Sequence, residues 1–321
     1  MLNRLKTSVN SVDASADLET LLQQLSLSRG SSEGLSTGCQ GYYRCPAIRN
    51  GKVGFISEDD VFVIDQLQSG APNACRRLTT CGECESVAIS RDGNIVAFSS
   101  AADGESEVYL VPFCGGPPKQ LTFCGDDHLR VLDFDRGDPR KLYVLRQQPT
   151  GVRPSTVAVS ALDITTGSLA PVEYGEASVY QPGKSGAVVI GRHTRDPHLA
   201  EWKHYKGGNI GQLWLSVNAA GERDFVRVCR EFNVGSPQLC EATQCIYFIA
   251  DPEDNAPGNV YAFDLAAFLK DGAEVVEKLT DHTDFYARKL AICSESKQLI
   301  YQSGGDLYVL NLPGALSGSS Q

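Results

Sequence analysis

Cys81-Gly82-Glu83-Cys84 has the most chemically suggestive spacing in the chain, because two thiols two residues apart can grip a metal ion or act as a redox couple. A zinc site needs further ligands, and two candidates stand in phase. Cys81, Cys124 and His282 each lie three residues after a leucine, namely Leu78, Leu121 and Leu279. Equivalent places on successive repeats rotate around a ring rather than converge, so the expectation is ordinary half-buried thiols and no metal. His193 and His198, separated by Thr194-Arg195-Asp196-Pro197, read as an exposed loop rather than a ligand pair. Gly34-Leu35-Ser36-Thr37-Gly38 has the outline of a nucleophile elbow but lacks the strand before it and the helix after it. Gly183-Lys184-Ser185 ends like a phosphate loop, yet it runs on into a strand and reads as an inter-strand turn. No catalytic, cofactor or metal residue is therefore expected.

The elements that would hold these residues are mostly strands. Short runs rich in Val, Ile, Tyr and Phe alternate with turns drawn from 31 glycines and 15 prolines. Phe55, Phe98, Val144, Ile190, Phe248 and Tyr301 fall at equivalent places in six copies of one pattern, at intervals of 43, 46, 46, 58 and 53 residues. Each copy reads as turn, apolar strand, polar or glycine turn, second strand, as in Asp92-Gly93-Asn94-Ile95-Val96-Ala97-Phe98 leading to Glu107-Val108-Tyr109-Leu110-Val111. A second marker runs in phase: Arg77-Leu78-Thr79, Gln120-Leu121-Thr122 and Lys278-Leu279-Thr280 each close an outer strand. A four-stranded unit cannot bury both faces alone, so such units stack radially. The fold class expected is all-β, a six-bladed β-propeller of four-stranded antiparallel blades over residues 39–313.

Residues 1–38 read as a flexible leader. Leu18, Leu21, Leu22 and Leu25 lie at helical spacing within it, after the N-cap candidate Ser15, and predict one short amphipathic helix; a Ser/Gly-rich linker follows from Ser28 to Gly38. Residues 314–321 read as a disordered tail. The 321 residues carry 29 Lys+Arg against 39 Asp+Glu, a net charge of −10 that repels polyphosphate and argues against nucleic acid. No run approaches the ~20 apolar residues of a membrane helix. Eleven cysteines, an odd number without a small disulfide framework, fit reduced thiols in the cytoplasm.

The Asp-Gly-x-Ile-x-Ala-Phe strand entry lacks the Gly-His and Trp-Asp marks of WD40 blades and resembles TolB-type and tricorn-type blades. Gly191-Arg192-His193-Thr194, Glu201-Trp202-Lys203-His204-Tyr205-Lys206-Gly207-Gly208 and Gly211-Gln212-Leu213-Trp214 resemble the fourth blade of the N-terminal propeller of tricorn protease. So does His282-Thr283-Asp284-Phe285-Tyr286-Ala287-Arg288 with Ser303-Gly304-Gly305-Asp306-Leu307-Tyr308-Val309. The resemblance covers about residues 40–312. It implies the first domain of a large cytosolic peptidase whose other domains are a second propeller, a PDZ domain and serine-type catalytic domains. None of that family's catalytic residues has a counterpart here.

Two departures stand out. Ser294-Glu295-Ser296-Lys297 replaces the Asp-Gly turn of other blades, and after Asp306 to Leu310 no outer strand like Arg77-Leu78-Thr79 follows. The last blade is therefore expected to have three strands and an open edge. A chain cut from a longer protein is the favoured explanation, ahead of closure by residues near Cys39 to Tyr43 or docking of the edge on a partner. Functionally, the expectation is a non-catalytic scaffold and peptide passage of a tricorn-type peptidase, with peptides or further domains as partners. A stand-alone interaction propeller of the TolB or WD40-like kind is the alternative. Trp202, Lys203, Tyr205 and Lys206 are the residues proposed to contact a peptide or partner; the competing reading packs Trp202 and Tyr205 on the adjacent blade.

Overall fold

The computed structural model describes residues 2–5, 42–67, 75–125, 128–147, 157–184, 186–194, 207–216, 224–252 and 257–312. Within these residues the chain forms six four-stranded antiparallel sheets. Leu2–Leu5 is β1. Blade one comprises Arg44–Arg49 (β2), Lys52–Ser57 (β3), Asp60–Ile64 (β4) and Cys75–Arg77 (β5). Blade two comprises Cys84–Ile89 (β6), Ile95–Ser100 (β7), Glu107–Pro112 (β8) and Lys119–Gln120 (β9). Blade three runs through Arg130–Phe134 (β10), Lys141–Gln147 (β11), Val157–Asp163 (β12) and Leu169–Glu176 (β13). Blade four runs through Val179–Pro182 (β14), Val188–Arg192 (β15), Gln212–Ser216 (β16) and Val226–Val228 (β17). Blade five has Gly235–Cys240 (β18), Cys245–Ala250 (β19), Asn259–Asp264 (β20) and Val276–Lys278 (β21). Blade six has Ala287–Cys293 (β22), Gln298–Ser303 (β23) and Asp306–Asn311 (β24), with β1 as its fourth strand.

The six-bladed, four-stranded architecture is thus as expected, but the open last edge is not. β1 pairs antiparallel with β24, Leu2 opposite Leu310 and Leu5 opposite Leu307. The strand that closes the ring comes from the leader, not from the Cys39 to Tyr43 region, and the deficit read at the C-terminal end is corrected. The stretch Ser15 to Leu25, the linker and the tail lie outside the described residues. One helix was not anticipated: Leu265–Asp271 (α1) connects β20 to β21, N-capped by Asp264 and ended by Gly272 at φ 77°. Seven residues with Phe268 packed on Phe263 are too few to show helical periodicity.

The second strands read as continuous apolar runs because adjacent blades cover both their faces. Every residue of β19 is buried, as are five of the six in β3. Apolar clusters lie between blades, for example Val189 and Leu213 with Phe248 and Phe263. The repeat positions also pair across strands: Phe55 on Phe62, Phe98 on Tyr109, Phe248 on Tyr261 and Tyr301 on Tyr308, each stacked with centroids 5.4–5.9 Å apart.

The Leu-Thr marker has a hydrogen-bonding cause. The Leu78, Leu121 and Leu279 amides donate to the carbonyls of Val61, Val108 and Val260. Each following threonine hydroxyl accepts from the same third-strand residue and donates to the polar side chain before it. Thr79 lies 2.9 Å from Val61 N and 2.8 Å from Asp60 Oδ1; Thr280 lies 2.9 Å from Val260 N and 2.8 Å from Asn259 Oδ1; Thr122 joins Val108 N and Glu107. These polar groups are buried, so each marker satisfies donors and acceptors that water cannot reach.

Candidate functional site

The first strands of the six blades, β2, β6, β10, β14, β18 and β22, line a central cavity of about 390 Å³. Five of the six carry a register shift against their second strand. At three of these shifts the residue with positive φ is not glycine: Cys45, Ser236 and Lys289, at 51°, 47° and 50°. Such bulges turn side chains off the pleat, and all three of these residues face the cavity. Several of the lining side chains also tie one blade to the next. Cys45 donates to Glu85 O, Ser86 Oγ accepts from Val131 N at 2.8 Å, Gln181 Oε1 from Leu239 N at 2.6 Å, and Ser236 Oγ from Leu290 N at 3.0 Å.

The two ends of the channel differ. At the end formed by the turns between first and second strands, Arg49 reaches past blade two to Asp133 on blade three, at 2.9 Å. Arg91 holds the other Asp133 oxygen at 2.9 Å and donates to the Phe134 carbonyl. Arg136 crosses from blade three to blade five, donating to Leu239 O at 2.6 Å with Glu241 3.9 Å away. Burial alone would raise the Asp133 pKa, but Arg91, Arg49 and Arg136 together hold it below the ordinary carboxylate value. These cross-channel pairs pinch that end. At the other end, His128, His193, Asn209, Asp251 and Tyr286 line the cavity. Exposed Tyr42, Phe123 and Phe285 stand on the inter-blade connections of this same face.

The structure distributes the sequence candidates unevenly. Cys81 and Cys84 meet, with sulfurs 3.8 Å apart, and the Asp60 carboxylate lies within 4.8 Å of both. Cys124 packs at the corresponding place one blade on, and His282 bonds the Tyr301 hydroxyl at 2.8 Å two blade junctions away, so neither joins them. Asp60 is also engaged by Arg77, Thr79 and the Gly82 amide, which disfavours it as a metal ligand. Gly183 N donates to Ala187 O and Gly186 N to Gly183 O, the tight turn expected there. His193 lies in the bend after β15, as the loop reading had it, but half-buried against the cavity, 3.8 Å from Glu176. Trp202, Lys203, Tyr205 and Lys206, and with them His198, lie outside the described residues. The arginine–aspartate pinch was not foreseen, since Arg49, Arg91, Asp133 and Arg136 come from three blades with no shared spacing. Among the described residues no helix is long and apolar enough to cross a membrane.

Six four-stranded blades around a central cavity define a six-bladed β-propeller. The sequence profile of the tricorn protease N-terminal beta propeller domain matches residues 40–315, and the chain belongs to that family. It is 30% identical over 276 residues to a tricorn protease homolog of Saccharolobus solfataricus, covering 84% of this chain and 23% of that protein. A second, tricorn protease homolog 1 of Streptomyces coelicolor, is 30% identical over 281 residues, covering 85% and 24%. The chain thus spans about a quarter of the length of these relatives. A Sulfurisphaera tokodaii protein described as a tricorn-like protease N-terminal subunit is 30% identical over 184 residues, which cover 56% of this chain and 88% of that one. Among solved structures, the crystal structure of the tricorn protease superposes with a TM-score of 0.69 at 24% identity, covering 84% of this chain and 25% of that one. TolB from Acinetobacter baumannii gives 0.56 at 12% identity, covering 79% and 58%.

Proposed function

We propose that the chain is a non-catalytic propeller of a tricorn-type peptidase, working in the cytoplasm as scaffold and as a passage or receptor for peptides. The observation that carries this is the family match over residues 40–315, joined to a central cavity of which one end is crossed by the Arg49–Asp133 and Arg91–Asp133 pairs. A cavity of about 390 Å³ suits a short peptide segment rather than a folded partner. Cleavage would be supplied by other domains or subunits. Trp202, Lys203, Tyr205 and Lys206, aromatic and cationic groups beside a Gly-Gly turn, are proposed to contact the peptide.

The test is twofold. Fluorogenic peptides incubated with the purified chain are expected to stay intact, and labelled peptides of about eight residues are expected to bind it in fluorescence anisotropy. K203A/K206A should weaken that binding about tenfold. Hydrolysis retained through further purification would overturn the non-catalytic reading, and absence of binding would overturn the receptor reading. The exposed aromatics Tyr42, Phe123 and Phe285 on the face away from the arginine–aspartate pairs favour a second reading, a propeller that docks a protein partner there. Peptide binding unaffected by K203A/K206A, with loss of a captured catalytic partner on F123S/F285S substitution, would select it.

A further inference from the structure

The Cys81–Cys84 pair lies outside the channel, and the proposed function makes no use of it. Cys81 is exposed, whereas Cys84 is 0% exposed. Their sulfurs stand 3.8 Å apart, against about 2.0 Å in a disulfide, so a side-chain movement of under 2 Å closes the bond. The backbone already holds them on one side: Gly82 at φ 77° and Glu83 at φ 48° turn the chain between them. The turn is anchored from outside the pair, by the Gly82 amide on Asp60 at 3.2 Å, the Gly82 carbonyl on the Ser100 hydroxyl at 2.7 Å, and Arg44 on the Cys84 carbonyl at 3.0 Å. The other blades that carry the Leu-Thr clamp have no second cysteine at this place; Gly125 and His282 supply the amide that Gly82 supplies here. The clamp therefore does not need the pair.

We propose that Cys81 and Cys84 form a reversible redox couple, with exposed Cys81 attacking hydroperoxides and buried Cys84 resolving the product as an intrachain disulfide. The Cys81 thiolate attacks one peroxide oxygen; the S–O bond forms, the O–O bond breaks, and the departing oxygen takes a proton to leave as water or alcohol. Cys81 is then a sulfenic acid. Cys84 loses its proton and attacks the Cys81 sulfur; the S–S bond forms, the S–O bond breaks, and hydroxide leaves with that proton as water. Two thiols are oxidised and one O–O bond is reduced by two electrons.

The environment divides the two roles. The hydrogen bond from Cys84 is the main cause that pulls the Cys81 thiol down, against burial that would raise it, so of the two Cys81 is the one favoured as thiolate. The same hydrogen bond, together with burial and the Cys81 charge, pushes Cys84 up and keeps it protonated. Once Cys81 is a neutral sulfenic acid that charge is gone, and Cys84 is freed to ionise in the second step. Burial also raises Cys75, Cys229 and Cys245, which disfavours their thiolates, and exposed Cys114 serves as a control.

The experiment uses the full chain, reduced, desalted without oxygen and titrated with hydrogen peroxide, followed by peptide mapping in a mass spectrometer. A Cys81–Cys84 disulfide is expected to form before any other cysteine is oxidised and to be reversed by dithiothreitol. C84S should instead accumulate Cys81 sulfenic acid, trapped by dimedone, and C81S should leave Cys84 reduced. Iodoacetamide at pH 6 should label Cys81 about tenfold faster than Cys114, the gain in thiolate outweighing its lower nucleophilicity. Circular dichroism of both variants checks that they fold. Oxidation of Cys81 no faster than Cys114 would overturn the couple, as would one equivalent of bound zinc that protects both thiols.

Discussion

Asp133 is one residue whose pairing decides local energetics. It accepts from both Arg49 and Arg91, so Asp133→Asn leaves two arginines facing an uncharged amide in the pinched end of the channel. The expected loss at pH 7 is about 3 kcal/mol, read by urea denaturation. Because its folded pKa lies below the ordinary value, the contribution is present at neutral pH and is lost as pH falls from about 4 downward through the folded pKa. The gap between wild type and variant should therefore narrow at pH 3; a constant gap would mean the charge is not the cause. Turn residues give a second pair of predictions. Gly93 at φ 72° and Lys297 at φ 50° close equivalent four-residue turns, with Gly93 N on Ser90 O and Lys297 N on Ser294 O. Gly93→Ala should cost about 1 kcal/mol, while Lys297→Gly should be neutral or stabilising by up to about 1 kcal/mol. The Ser294 to Lys297 departure from the Asp-Gly pattern is thus a change of residue within an unchanged turn.

The element that recurs is the outer-strand clamp. Thr79→Val, Thr122→Val and Thr280→Val each orphan a buried amide and remove the donor to Asp60, Glu107 or Asn259. Each should cost about 1–2 kcal/mol, and being on separate blades the losses should add within about 0.5 kcal/mol. The closing strand carries the other prediction at this scale. Removing residues 1–5 leaves the β24 edge unpaired, so a lower melting temperature and concentration-dependent association are expected in calorimetry and analytical ultracentrifugation. Unchanged association state and unchanged stability would show that this pairing contributes nothing. Leu265–Asp271 marks the limit of pattern reading, since its cues are only Asp264 before it and Gly272 after it.

Over the whole molecule, much was legible from one sequence because a repeat states its own architecture. Blade count and the second and third strands followed from repeat positions and Leu-Thr markers whose causes, cross-strand stacking and a shared clamp, are local in sequence, and the family from the longer segments Gly191 to Trp214 and His282 to Val309. The CxxC spacing was local too, so the thiols themselves were visible. Three things were not. The Arg49–Asp133 and Arg136–Glu241 pairs join blades that only ring closure brings together. The asymmetry of Cys81 and Cys84 depends on which side of a turn faces the neighbouring blade. The last blade's fourth strand comes from the opposite end of the chain, and a strand of four residues carries too little pattern to announce a partner some three hundred positions away. The sequence by itself determined what repeats, because each repeat must satisfy the same local packing; tertiary structure alone decided what meets across the ring, because closure juxtaposes residues with no spacing in common.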